Sequence, residues 1–352
     1  MGQDPQSTPP AASVGVGRRG LLRAAALGGA GAVAGVAAGS PSAAHAAEAS
    51  AAAQASTAAP RRARGAAGVR MRWLGVAGWQ LAFDNHVLYF DPYLSRFDYT
   101  ADGGALKVRG DVIENLLATG RLSGPPEVVM VSHGHWDHMN DVPYLLNRPE
   151  WAQKPIYAIG TETHRHLLNA IGLAEHRKGS VLEASGGEYF SFADGAYTIQ
   201  VVRSLHSQGQ NYGFFAPGTL TAKPATPRTT ADLLEGGTLA YQVTVADRLS
   251  VLMFGGTNLV ERELAGLRPD VVAVSMTSHN GVYRYLERLL TVLGGPKYVV
   301  PSHHDDMVTG FDEPGLPGTV RKSAVDELKQ AVRSLRLRTE VVEPAHLTDL
   351  AF

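Results

Sequence analysis

One stretch constrains this chain more than any other: Val128-Val129-Met130-Val131-Ser132-His133-Gly134-His135-Trp136-Asp137-His138. An apolar run of strand length is followed at once by three histidines and an aspartate, too dense a set of imidazoles and carboxylates for an ordinary surface turn. Side chains two apart on a strand point the same way, so His133 and His135 can grip one cation while Gly134 lets the backbone pass close by. Asp137 and His138 then turn into the next segment and face a second cation. Two-metal hydrolytic sites are built at a separation of about 3.5–4 Å.

Composition narrows the chemistry further. The sequence has no cysteine, which removes disulfides, thiolate ligands and a thiol nucleophile, and leaves His and Asp as ligands. With 32 basic and 33 acidic residues the net charge is −1, so there is no basic field for nucleic acid and no polybasic membrane patch. A chain of 352 residues with 44% hydrophobic content can bury one large core, and a single domain with an N-terminal appendage is expected. No Ser-His-Asp spacing and no Walker-type glycine loop is recognisable.

The H-x-H-x-D-H run resembles the signature of the metallo-β-lactamase superfamily, and the resemblance extends over about residues 70–305. It takes in Trp73-Leu74-Gly75, Asp91-Pro92-Tyr93-Leu94 and Pro301-Ser302-His303, which look most like the branch holding ascorbate-6-phosphate lactonase and N-acyl-phosphatidylethanolamine phospholipase D. The resemblance implies an α/β fold, the αββα sandwich, with metals at one edge of two mixed sheets. It also implies that His206, after a later strand, completes a first metal set with His133 and His135. His303 matches the family's terminal histidine and joins Asp137 and His138 in a second set, with His304 as its rival. The family reads Gly-Asp-Thr where this chain reads Gly255-Gly256-Thr257, so the metal-bridging carboxylate is missing at Gly256. Asn258 is a minor alternative donor.

Three imidazoles with an open corner make a catalytic zinc site, whereas two histidines and a carboxylate also suit Mn or Fe. One or two Zn²⁺ ions are therefore expected, with Mn²⁺ or Fe²⁺ an alternative at the second position. Asp137 is the candidate for orienting the attacking water or taking its proton. The expected function is metal-dependent hydrolysis of an ester, lactone or amide bond in a small or lipid-like substrate. Two alternatives stand beside it: a phosphodiesterase, with His279 and His304 near phosphate oxygens, and a non-catalytic metal- or ligand-binding protein, made credible by Gly256.

Residues 1–46 read as an export signal. Arg18-Arg19 precede an uncharged Ala/Gly/Val/Leu stretch and a small-residue cleavage site at Ala44-His45-Ala46, a pattern resembling a twin-arginine signal. The apolar stretch is too short and glycine-rich for a spanning helix, so no integral membrane segment is expected in the mature chain. Its location would be extracellular, periplasmic or cell-wall associated. Residues 47–68 read as a flexible Ala-rich linker, and 69–352 as the hydrolase domain.

Within that domain Asp84-Asn85 predicts a hairpin, and 111–117 a short helix. A second helix is expected over 161–171 with Thr161 as N-cap and Gly172 as stop, placing His164 and His166 on its surface. Residues 216–236 read as a long polar loop. Helices are also expected over 281–293, with Leu286, Leu289, Leu290 and Leu293 on one face, and after a Ser323–Asp326 capping pair. Trp136, Tyr93, Tyr283 and Tyr285 are candidate pocket walls.

Overall fold

The computed structural model describes residues 68–352. The expected export signal and all but the last residue of the linker lie outside the described residues.

The chain begins with an antiparallel meander of β1 (Arg70–Trp73), β2 (Trp79–Phe83) and β3 (His86–Phe90). The Asp84-Asn85 hairpin forms as expected, with Asp84 at φ 48° and Phe83 paired to His86. Helix α1 (Gly110–Ala118) leads to β4 (Val128–Met130), which lies parallel to β3. Two short helices, α2 (Trp136–Met139) and α3 (Val142–Leu146), precede β5 (Tyr157–Gly160); α4 (Glu162–Ile171) then leads to β6 (Val181–Glu183), and both strands continue the parallel half.

A second sheet repeats this plan. Strands β7 (Tyr189–Phe192), β8 (Tyr197–Arg203), β9 (Leu239–Val245) and β10 (Leu249–Phe254) pair antiparallel. After α5 (Glu261–Leu264) come β11 (Val271–Ser275), α6 (Tyr285–Val292), β12 (Tyr298–Ser302), α7 (Lys322–Ser334) and β13 (Glu340–Val341), with all three strands joined in parallel. Strand β14 (Asp349–Ala351) returns to the edge of the first sheet beside β1. Each sheet has seven strands, in the orders β14-β1-β2-β3-β4-β5-β6 and β13-β12-β11-β10-β9-β8-β7.

Burial follows from this layering. Val128 and Met130 of β4 face the core between the sheets, while Val129 faces the helices, so the strand reads as an unbroken apolar run. The inter-sheet core contains Trp73, Trp79, Phe90, Tyr241 and Met253; two further cores lie under the helices outside each sheet. The expected αββα sandwich is the observed fold.

Two helix starts need correction: the helix expected over 281–293 begins only at Tyr285, after Arg284 in the left-handed region, and the last helix also starts differently. Helix α7 begins after Arg321 without a side-chain cap, so the Ser323–Asp326 pair does not start it; Val325, Leu328 and Val332 are buried, but Leu335 is only partly so. The 216–236 stretch is a long loop, as expected, and it packs onto the domain: the Gly134 amide donates to the Glu235 carbonyl at 2.8 Å, and Leu233 is fully buried. Gly134 serves this approach, because a Cβ there would sit 2.1 Å from the Leu234 carbonyl oxygen. Among the described residues no helix is long and apolar enough to cross a membrane.

Candidate metal centre

Five strand ends meet at one rim of the sandwich. The segment after β4 brings His133, His135, Asp137 and His138; that after β8 brings His206; β12 ends at Ser302 and hands on directly to His303. Asp91 follows β3, and Gly255-Gly256-Thr257 follow β10. Parallel strands put loops of different origin on the same edge, which is why residues 170 positions apart can share a site.

All six expected ligands come together, in two sets. His133, His135 and His206 offer nitrogen atoms within 4.8 Å of one another, and Asp137, His138 and His303 do the same with one oxygen and two nitrogens. In the first set His206 Nε2 stands 3.1 Å from His135 Nδ1, while its own Nδ1 donates to the Ser207 carbonyl at 2.8 Å. In the second, Asp137 Oδ2 lies 3.4 Å from His138 Nε2 and 3.3 Å from His303 Nε2. The His133 and His138 rings, one from each set, have centroids 3.8 Å apart.

Two residues absent from the expected site hold these rings. Asp91 Oδ2 accepts from His138 Nδ1 at 2.7 Å and from Ser132 Oγ at 2.5 Å, and Asp91 Oδ1 accepts from the Ser132 amide at 2.7 Å. Ser132 Oγ also lies 2.9 Å from His133 Nδ1. The Nδ1 atoms of both rings are thus engaged from below, leaving Nε2 free to face outward. Asp91 takes φ 43°, in the left-handed region, and is fully buried. Its Asp91-Pro92 context reads as a strand terminator, which conceals this role. Gly255 makes room for the arrangement: a Cβ there would fall 1.9 Å from Ser132 Oγ and 2.5 Å from Asp91 Oδ2. At Gly256 a Cβ would point elsewhere, 2.9 Å from the Leu205 carbonyl oxygen beside His206.

Burial and charge divide the two sets. Burial, reinforced by repulsion from neighbouring imidazolium, holds His133 well below the usual histidine range. The same causes push His135 down to about 3, and burial also lowers His206. The first set is therefore three neutral imidazoles, the form that binds a metal. For His138 burial acts downward too, but the Asp137 and Asp91 carboxylates outweigh it and raise the ring to about 10. Burial works against ionisation of Asp137, yet His138 and His303 hold its carboxyl well below the usual range. Donor type, convergence and burial fit one cation in each set: a zinc-like site of three histidines, and a mixed site of two histidines and a carboxylate.

Packing sets His303 and His304 apart. His303, at φ 54°, turns toward Asp137, while His304 stacks on Trp73 at 4.8 Å and is 1% exposed. A buried network braces this turn. Arg96 donates to Asp305 at 2.9 Å and to Asp306 at 3.0 Å; Asp305 also accepts from His346 at 2.8 Å and from the Val76 amide at 3.0 Å. His346 in turn stacks on the Trp73 ring at 4.2 Å.

Other histidines depart from expectation. His164 and His166 are buried, not on the surface. His164 closes a capping box with Thr161, accepting from the Thr161 amide at 3.0 Å, and its Nε2 donates to the Glu235 carbonyl at 3.1 Å. His279 binds Glu327 at 2.6 Å in a separate groove that also contains Tyr283 and Tyr285. Neither His279 nor His304 lines the cleft over the two sets, so neither is placed to meet a phosphate there.

That cleft has a volume of about 610 Å³. His133, His135, Asp137, His138, His206 and His303 all line it, and Trp136 forms part of its wall. Tyr93 is fully buried and packs edge-on against Trp136 at 5.2 Å.

Residues 86–280, more than half of the chain, match the family described as the Beta-lactamase superfamily domain. Among curated proteins no sequence matches significantly. Solved structures similar to the chain include Igni18, a metallo hydrolase from Ignicoccus hospitalis, at 17% identity and TM-score 0.49, covering 81% of this chain and 98% of that one. Another is an isothiocyanate hydrolase from Delia radicum gut bacteria, at 17% identity and TM-score 0.48, covering 80% and 98%. A third is CmlA, a diiron β-hydroxylase from Streptomyces venezuelae, at 16% identity and TM-score 0.49, covering 82% of this chain and 55% of that one. Given the family match over residues 86–280, which carry five of the six converging ligand candidates, and the two seven-stranded sheets, the chain belongs to the metallo-β-lactamase superfamily of hydrolases.

Proposed function

We propose that the protein is an exported hydrolase that uses two divalent cations to cleave an ester, lactone or amide bond in a small or lipid-like substrate. The observation that carries this reading is the pair of three-ligand sets converging on the floor of one cleft. His133, His135 and His206 would hold the first cation, and Asp137, His138 and His303 the second. Bound divalent cations supply Lewis acidity, acidifying water and polarising an electrophilic oxygen.

The chain's own residues do the positioning. Asp91 and Ser132 fix the His138 and His133 rings so that their Nε2 atoms face the cleft. Asp137, ionised and within reach of two histidines, orients the attacking water or accepts its proton. Phe214 and Phe215, just before the 216–236 segment, line the cleft, and Glu235 at the end of that segment holds the Gly134 amide between two of the ligands.

The test is turnover by protein reconstituted with Zn, Mn or Fe on panels of aryl esters, lactones, amides and bis-p-nitrophenyl phosphate. Hydrolysis of the first three supports the reading. Activity on the phosphodiester alone would replace it with the phosphodiesterase alternative, and no turnover on any panel would favour a binding protein.

Export by the twin-arginine route is part of the proposal and is supported by Arg18-Arg19, the apolar stretch and the Ala44-His45-Ala46 site. Lysine at both arginine positions should leave precursor in the cytoplasm. Normal secretion of that double variant would refute this route.

A further inference from the structure

We infer that the cleft accepts a substrate whose body beyond the scissile bond is apolar and uncharged, an aryl or alkyl group, and that Phe215 selects it. The inference rests on the hydrolase reading for its chemistry and on the cleft wall for its specificity.

Two apolar strips border the ligand sets. Tyr99, Trp136 and Met307 form one, and Trp136 is held rigid from behind by Tyr93 at 5.2 Å and Phe97 at 5.4 Å. Phe214 and Phe215 form the other. Phe214 stacks on His206 at 4.5 Å, and Phe215 approaches the His135 ring at 5.5 Å while remaining 49% exposed. A half-exposed phenyl group beside buried ligands is apolar surface that a substrate can take out of water.

Charge points the same way. Among the described residues lining the cleft there is no lysine or arginine, and the carboxylate present, Asp137, is committed to the second ligand set. An anionic group remote from the scissile bond would lose hydration and meet no cationic side chain. The nearby charged residues Arg203, Glu162 and Glu235 line a neighbouring cleft that shares His206, Gln208 and Phe214 with this one, and they do not line the cleft over the ligand sets. Substrates bearing a second phosphate or carboxylate are therefore disfavoured.

Binding and turnover can be separated with ligands that are not hydrolysed. Hexanophenone and its ω-sulfonate analogue share the aryl ketone and chain, and sulfonate is a weak metal ligand. Titration calorimetry on the zinc-loaded full chain should show the neutral ketone binding at least about tenfold more tightly. Phe215→Ala should weaken the neutral ketone about five- to tenfold and the sulfonate much less, while Phe215→Leu retains most of the preference. Equal binding of the two ketones, or equal weakening of both by Phe215→Ala, overturns the inference. Turnover of 4-nitrophenyl hexanoate by the same preparation is read independently. Lack of turnover with the binding preference intact would count against the hydrolase reading while supporting the assignment of the cleft.

Discussion

At the scale of single residues, the site is governed by atoms that hold the ligands as much as by the ligands themselves. Asp91 is buried with its carboxylate shared between His138 and Ser132. Asp91→Ala should therefore lower metal affinity at the second position by about 10–100-fold, as loss of a ligand's hydrogen-bond partner does. Competition against a chelator measures this; unchanged affinity would show that His138 orients itself. His303→Ala should empty the second position, whereas His304→Ala should leave the metal ratio intact and lower stability by about 1–3 kcal/mol through lost packing on Trp73. The ligand run was legible because four of its members crowd the end of one apolar strand, and the later strand ends could be checked one by one. Asp91 and Ser132 were not, since their partnership joins two different strands and neither has a ligand's spacing in sequence. Gly256 retains its interest. Native protein dialysed against a weak chelator should lose the second metal first. Gly256→Asp should narrow that difference, provided the Leu205 carbonyl yields to the new Cβ 2.9 Å away. Equal retention of two metals by the native chain would remove the significance of the missing acid.

At the scale of elements, helix α4 shows where period and propensity mislead. Its start at Thr161 and stop at Gly172 are as the sequence implies, but His164 at the third helical position performs the capping that Glu or Gln usually does. A histidine there reads as a solvated side chain unless the Glu235 carbonyl, 71 positions away, is known to cover it. Burial pushes this ring down to about 4, below its ordinary value near 6.5. The unfolded chain thus binds a proton at a higher pH than the folded one. Stability associated with His164 is complete above about 6.5 and declines as pH falls toward 4, by a total on the order of 3 kcal/mol. Protonation would also turn Nδ1 into a donor facing the Thr161 amide. Urea midpoints from pH 7 to 4.5 should fall less steeply in His164→Gln than in the native protein, although that variant begins about 0.5–2 kcal/mol less stable. Parallel curves would mean that the ring titrates normally.

At the scale of the whole molecule, the two sheets follow the same plan, with antiparallel strands leading into parallel ones, and their strand ends meet at the candidate metal centre. Layers and strands were legible because central strands such as β11 are buried on both faces and read as apolar runs. The exact starts of helices were not, because α7 begins without the side-chain cap that its sequence advertises. Metal bound only by the folded state should stabilise it by about 2.7 kcal/mol at a free concentration 100 times Kd. Thermal scans with and without chelator should show this as a lower melting temperature after metal removal; an unchanged value would mean that the rim is set by packing alone.

The brace behind His303 has a temporal consequence. Synthesis delivers His303 well before His346 and β14, yet it is His346 that clasps Asp305 and sits against Trp73, while β14 closes onto β1. A nascent chain that has emerged only through residue 330 carries all six ligands but not this clasp. Capture at the second position should therefore tighten once His346 is in place, and chains stalled on the ribosome at 330 should retain the first metal better than the second.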